Sequence, residues 1–127
     1  MNPNDNIVNW FEIPVEDFQR AKNFYQIIFS MEMGDALVMN MQMAFFPSEN
    51  GNGKVGGALV KSEMHKSNTE GVLVYLNANP DISAVLGRIE DEGGIIMMNK
   101  TSINEGAGFI AIFLDTEGNR IGLHAQH

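Results

Sequence analysis

Apolar positions along the chain switch between two rhythms. Near the N-terminus, Ile7, Val8, Trp10, Phe11 and Ile13 form a β-prone run that Pro14 closes. Asp17 then stands where a helix can begin, because its carboxylate can accept from the free N–H groups of a first turn. Phe18, Ala21, Tyr25 and Ile28 follow on one helical face and predict a helix ending near Ser30. Beyond it, Leu37, Met39, Met41 and Met43 share one side of an extended chain, with Val38, Asn40 and Gln42 on the other. One strand should end near Asn40 in a tight turn or bulge, and a second should run through Phe46 to Pro47. The methionines are expected to pack against the first helix, the commoner place for buried apolar side chains, the alternative being that they line a soft apolar pocket. Asn50–Lys54, NGNGK, is a hairpin signal leading into a strand over Gly56–Lys61.

Ser62–Glu70 is polar and without period, and reads as a connection. The pattern then begins again. Val72–Leu76 is a strand, and Asp81 caps a helix whose apolar face is Ile82, Val85, Leu86 and Ile89. Gly93-Gly94 stops that helix; Ile95–Met98 is a short strand, and Phe109–Leu114 a continuous apolar one. Asp115–Asn119 (DTEGN) turns the chain into a last strand, Arg120–His124. The second half repeats the order of the first with few identities, a duplication of structure rather than of letters. The pattern predicts an α+β fold of two βαβββ modules, about 5–62 and 70–126, within one domain spanning 1–127. Together they would make a curved, mostly antiparallel sheet cup with helices outside, a shape that suits a small-molecule ligand.

Composition narrows the partners. With 44% hydrophobic and 19% charged residues, the chain is an ordinary globular one. A net charge of -8 repels phosphate backbones, so no nucleic acid is expected, whereas a cationic ligand would be drawn in. No apolar run approaches the roughly 20 residues that span a bilayer, so no membrane partner is expected. The first residues show no basic stretch followed by a small-residue cleavage site, and a cytoplasmic location is expected. With no cysteine, disulfides, thiolate nucleophiles and Cys-bound metals are excluded together.

Three features carry a resemblance to the glyoxalase/bleomycin-resistance/extradiol-dioxygenase superfamily, the vicinal oxygen chelate proteins. They are the strand and Asp-capped helix with Phe24-Tyr25, the Gly93-Gly94 stop before a strand, and FLDTEGNRIGL, Phe113–Leu123. The last is similar to that family's D-P-x-G-N turn. The resemblance implies paired βαβββ modules and a homodimer. It also implies, in the metalloenzymes, four His or Glu ligands from the first and last strands of the modules. Carried over one at a time, those positions fall on Trp10, on Ala58 or Val60, on Gly71 or Leu73, and on Gly122. None offers a nitrogen or oxygen side-chain donor, so no metal and no cofactor are expected.

Strand alternation offers other chemistry. If Trp10 faces the cup, so does Glu12; if Gly122 does, so do Arg120 and His124, and Tyr75 shares a face with Gly71 and Leu73. Glu12 and His124 are the candidate acid–base pair, with Trp10, Tyr75, Arg120 and Lys100 as ligand-binding candidates. Glu12 reads equally as half of a structural ion pair with Arg120 or a lysine, and Trp10 as core or as a stacking platform. His65, in the connection, and His127, the last residue, are weaker candidates. The expected function is small-molecule binding, with metal-independent acid–base catalysis. The alternatives are a non-catalytic drug- or antibiotic-binding protein of the bleomycin-resistance type and a lyase with a rearranged metal site.

Overall fold

The computed structural model describes residues 1–49 and 51–127. The first module is β1 (Trp10–Pro14), α1 (Phe18–Ile28), β2 (Gly34–Val38), β3 (Met41–Phe45) and β4 (Gly56–Lys61). The second is β5 (Tyr75–Asn77), α2 (Ile82–Ile89), β6 (Ile95–Asn104), β7 (Gly108–Leu114) and β8 (Arg120–Ala125), with a 3₁₀ turn over Glu90–Glu92 after α2. Each module makes its own four-stranded sheet, in the orders β1-β4-β3-β2 and β5-β8-β7-β6. In both, the first strand runs parallel to the last and the other pairs are antiparallel. This is an α+β fold of two βαβββ modules.

The caps act as their residue types require. The Asp17 carboxylate accepts from Arg20 N at 3.1 Å, and the Asp81 carboxylate from Ser83 N at 2.9 Å. Met39 and Asn40, at φ 49° and 63°, make a two-residue turn between β2 and β3, with both central residues left-handed as such hairpins demand. Of the NGNGK signal, Asn50 lies outside the described residues, while Gly51 and Gly53 take φ 78° and 75°.

One face of each sheet packs on the helices. Ile13, Ala44 and Leu59 from one sheet, and Ala111, Phe113, Ile121 and Leu123 from the other, join the apolar faces of both helices in a single core. Each buried Ile, Leu or Phe among them contributes roughly 1.5–3 kcal/mol. The three family-like features all sit here. A Cβ on Gly94 would lie 2.6 Å from Ile89 and 3.0 Å from the Phe24 ring, so the glycine lets the strand pass close to both helices. The Phe24 ring is 5.9 Å from that of Phe113, and the Tyr25 hydroxyl donates to Asp115 at 2.7 Å.

The DTEGN turn fastens the modules together. Asp115, 5% exposed, also accepts from Glu117 N and Asn119 N at 2.9 Å each, and from the Asn119 side chain at 3.1 Å. Asn119 in turn donates to Pro14 O at 2.6 Å and accepts from Asn68 N at 3.1 Å, tying β1 and the connection to the same turn. The Glu117 carboxylate accepts from Glu16 N and Asp17 N at 2.9 and 2.7 Å, and from Arg20 and Thr116 at 2.8 Å. Burial pushes Asp115 up from the usual carboxylate range, and its hydrogen bonds only partly restore it. For Glu117 burial acts the same way, but the Arg20 bond and its other donors win and leave it lowered. Tyr25 is raised, first by complete burial and then by the adjacent Asp115 charge.

Three sequence expectations are corrected. The Val72–Leu76 strand begins only at Tyr75. The strand expected over Ile95–Met98 continues to Asn104 through three register shifts, bulges that alternation in the sequence cannot reveal. Met41 and Met43 pack with Ala58 and Val60 on the sheet face away from α1, and Met39 is exposed in the turn. The reason is that α1 is met by the neighbouring small residue Ala44 and by Leu59, which leaves the methionines the opposite face.

Candidate functional site

The faces turned away from the helices carry the candidate residues. Trp10 and Glu12 pair in register with Gly56 and Ala58, so they share a face with Ala58 and Val60 and point away from Ile13 and the core. In the second sheet, Tyr75, Arg120, Gly122 and His124 share a face with Ile110, Ile112 and Leu114, as the register fixes. These isoleucines and Leu114 are half-buried, and the face is apolar.

The two modules repeat one arrangement. The first residue of each parallel first strand is aromatic and lies opposite a glycine of the last strand: Trp10 with Gly56, Tyr75 with Gly122. A Cβ on Gly56 would come within 3.2 Å of the Trp10 ring, and one on Gly122 within 2.5 Å of the Tyr75 ring. Each ring therefore covers its glycine with one surface. Each residue is 45% exposed, so part of each ring stays open. Gly122→Ala should cost about 1–3 kcal/mol by displacing the Tyr75 ring, and much less in a Tyr75→Ala background. Thermal unfolding of the four proteins in that cycle checks this. An equal cost in both backgrounds would show that the ring does not sit on the glycine.

Cavities reach both rings. The larger, about 730 Å³, runs between the modules and is lined by Tyr75, Val8, Phe11, Phe29, Phe46 and Val72 among others, with Asn77 and Asn79 as its polar groups. Its size and apolar walls are those of a small-molecule pocket. A second, about 410 Å³, lies beside Trp10 and Phe45 under the β3–β4 connection. Glu12 and Arg120 line a smaller cleft of about 300 Å³ together with Lys66.

The candidate side chains have distinct partners. Glu12 accepts from the Trp10 indole N–H at 3.2 Å and from His65 Nε2 at 2.8 Å. Glu12 is thus hydrogen-bonded to a histidine rather than paired with Arg120 or a lysine. His124 Nε2 lies 2.8 Å from Ala107 O, and since a carbonyl only accepts, that nitrogen carries a proton. The structure brings Trp10 and Glu12 into contact and sets Arg120 beside the same cleft, while His124 is bonded elsewhere. Lys100 Nζ stands 4.4 Å from the centre of the Phe109 ring, a cation–π contact. Sequence reasoning underrated His65. Nothing periodic in Ser62–Glu70 shows where a side chain points, and the only available signal was a histidine three residues after a serine.

A family model described as Glyoxalase/Bleomycin resistance protein/Dioxygenase superfamily matches residues 7–123. The chain belongs to this superfamily. By sequence, no functionally curated protein matches it. Among solved structures it is similar to UcmS2, at 20% identity and TM-score 0.65, covering 94% of this chain and 97% of that one. It is similar also to TnmS3, an antibiotic binding protein from Streptomyces sp. CB03234, at 23% identity and TM-score 0.61, covering 98% of each chain. A glyoxalase I mutant from Zea mays matches at 20% identity and TM-score 0.67, over 94% of this chain and 44% of that one. These likenesses establish the fold.

Trp10, Ala58, Val60 and Gly122 lie on the open faces or beside them with no donor, while Gly71 and Leu73 precede β5 altogether. By register the counterpart of Trp10 is Tyr75, whose ring fills the space a side chain at position 122 would need. Among the described residues no three His, Cys, Asp or Glu side chains gather as a cation site. The residues present do not fit the superfamily's metal. No helix among the described residues is long and apolar enough to cross a membrane.

Proposed function

We propose that this superfamily member binds a small, flat, largely apolar organic molecule against Trp10 and Tyr75, without turnover. The observation that carries the reading is the repeated aromatic-on-glycine pair, which leaves one open ring surface per module where the metalloenzymes would hold ligands. A ring backed by a glycine is a flat platform, and stacking on such a platform tolerates varied apolar partners. Met41, half-buried on the same face, adds adaptable apolar surface. The net charge of -8 favours a cationic molecule. That TnmS3 is named an antibiotic binding protein supports the choice of binding over chemistry. Acid–base catalysis would need Glu12 and His124 to meet one substrate, and their hydrogen bonds run to separate partners.

The functional unit is proposed to be a homodimer. Trp10 and Tyr75 stay 45% exposed on these faces in the single chain, and a second copy laid against them would enclose a cup. Sedimentation equilibrium should show a mass near twice 14.0 kDa; a monomer at all concentrations would contradict the dimer.

Binding is tested with proflavine, a flat aromatic cation. Titration should quench the fluorescence of the chain's one tryptophan saturably and raise its unfolding temperature. No quenching and no shift, for proflavine and for neutral and anionic flat probes alike, would defeat the reading.

A further inference from the structure

Four side chains form one hydrogen-bonded series on the open face of the first module. Ser62 Oγ lies 2.6 Å from His65 Nδ1, His65 Nε2 lies 2.8 Å from Glu12 Oε1, and the Trp10 indole N–H donates to Glu12 Oε2 at 3.2 Å. The proton positions follow from the partners. The Glu12 carboxylate only accepts, so His65 Nε2 donates to it, and Nδ1, the ring's other nitrogen, is bonded to Ser62 Oγ. Ser62 Oγ also accepts from Met64 N at 3.1 Å, which fixes the hydroxyl in the turn that presents His65.

We propose that His65 is a positioning residue: held by Ser62, it locks the Glu12 carboxylate, and through it the Trp10 ring, in the orientation that a flat ligand meets. This deepens the binding reading of the same site and rests on it. Charge-assisted bonds on both carboxylate oxygens leave Glu12 a single orientation. An indole pinned at its N–H and backed by Gly56 loses little freedom when a ligand stacks on it, and such preorganisation strengthens binding without new contacts. The series also exhibits a hydroxyl, an imidazole and a carboxylate in line, the order seen in activated nucleophiles. Ser62 and His65 line none of the cavities described above, whereas Glu12 and Trp10 each line one, so the first two act through Glu12 on Trp10 rather than on a substrate.

The single tryptophan makes the proposal directly readable. In ligand-free protein, the one indole N–H resonance in a ¹H–¹⁵N spectrum should sit downfield, as bonding to a carboxylate requires. Glu12→Ala should move it upfield. His65→Ala should shift or broaden it while the backbone spectrum stays folded, and His65→Gln, whose amide can still donate to Glu12, should restore it. Proflavine affinity should fall about tenfold in His65→Ala and recover in His65→Gln, the size of one lost charge-assisted bond. An indole resonance that moves in Glu12→Ala but not in His65→Ala would overturn the positioning role, as would one that moves in neither. If the wild-type protein fails to bind proflavine or the other flat probes, the binding reading fails, and the indole resonance still decides whether His65 orders Trp10.

Discussion

Asp115→Ala should destabilise the protein by about 3–5 kcal/mol, the largest single-site effect expected in this fold. The carboxylate accepts four hydrogen bonds in a nearly closed site, from Tyr25, from the Asn119 side chain and from two backbone N–H groups. Alanine would leave the fully buried Tyr25 hydroxyl without its acceptor and would loosen the turn that anchors β1 and the connection. For a domain of this length the melting temperature should fall by on the order of 10 °C or more. A fall under about 3 °C by calorimetry would show that water or a shifted neighbour replaces the carboxylate. Asp115→Asn should fall between, since it keeps one carbonyl oxygen but turns a donor toward Asn119.

Glu117 in the same turn sets a pH dependence of opposite sign to that of Asp115. Its folded value is lowered from 4.5, so its stabilising contribution is present above the unfolded value and is lost as pH falls through the acid range. Asp115 is raised from 3.8, so it favours the folded state most at low pH, and that contribution fades as pH rises above the unfolded value. Glu117→Gln should therefore be less stable than wild type at pH 7 and lose less on going to pH 4. Parallel stability curves for the two proteins would contradict this assignment.

Trp10→Ala should weaken proflavine binding about 10–100-fold, the largest functional effect expected, and Tyr75→Ala should do the same. Both substitutions remove an exposed platform and leave the core intact, because the two rings lie on the faces opposite the helices. Their unfolding temperatures should stay near that of wild type. Trp10→Phe keeps a ring over Gly56 but not the N–H, and should retain more binding than Trp10→Ala. Isothermal calorimetry on the four proteins checks the order. Loss from only one of the two alanine variants would confine the site to a single module.

What the sequence made legible was the part governed by local rules. Asp17 and Asp81 cap because of their side-chain geometry, and Trp10 and Glu12 share a face because strands alternate. Duplication was readable from the order of elements, and the family from three features that prove to be core contacts. The connection was not readable, because no period fixes where His65 points. Nor was the face of the methionines, since a strand's alternation groups Met41 with Met43 without saying which group meets the helix. The depth of Asp115 was hidden too: DTEGN announces a turn, while its burial comes from β1, the connection and α1 closing over it. The missed metal counterpart, Tyr75 rather than Gly71 or Leu73, follows from a strand that starts three residues later than its apolar run suggests.

If ligand stacks on the open aromatic faces, a ¹H–¹⁵N titration with proflavine will show it residue by residue. The expected result is saturable movement of the Trp10 indole resonance together with the amides of Tyr75 and Gly122 and those around Gly56, with little change in α1 and α2. Saturation accompanied by movement confined to the helices or the exposed N-terminal residues, with the Trp10 and Tyr75 signals fixed, would contradict it.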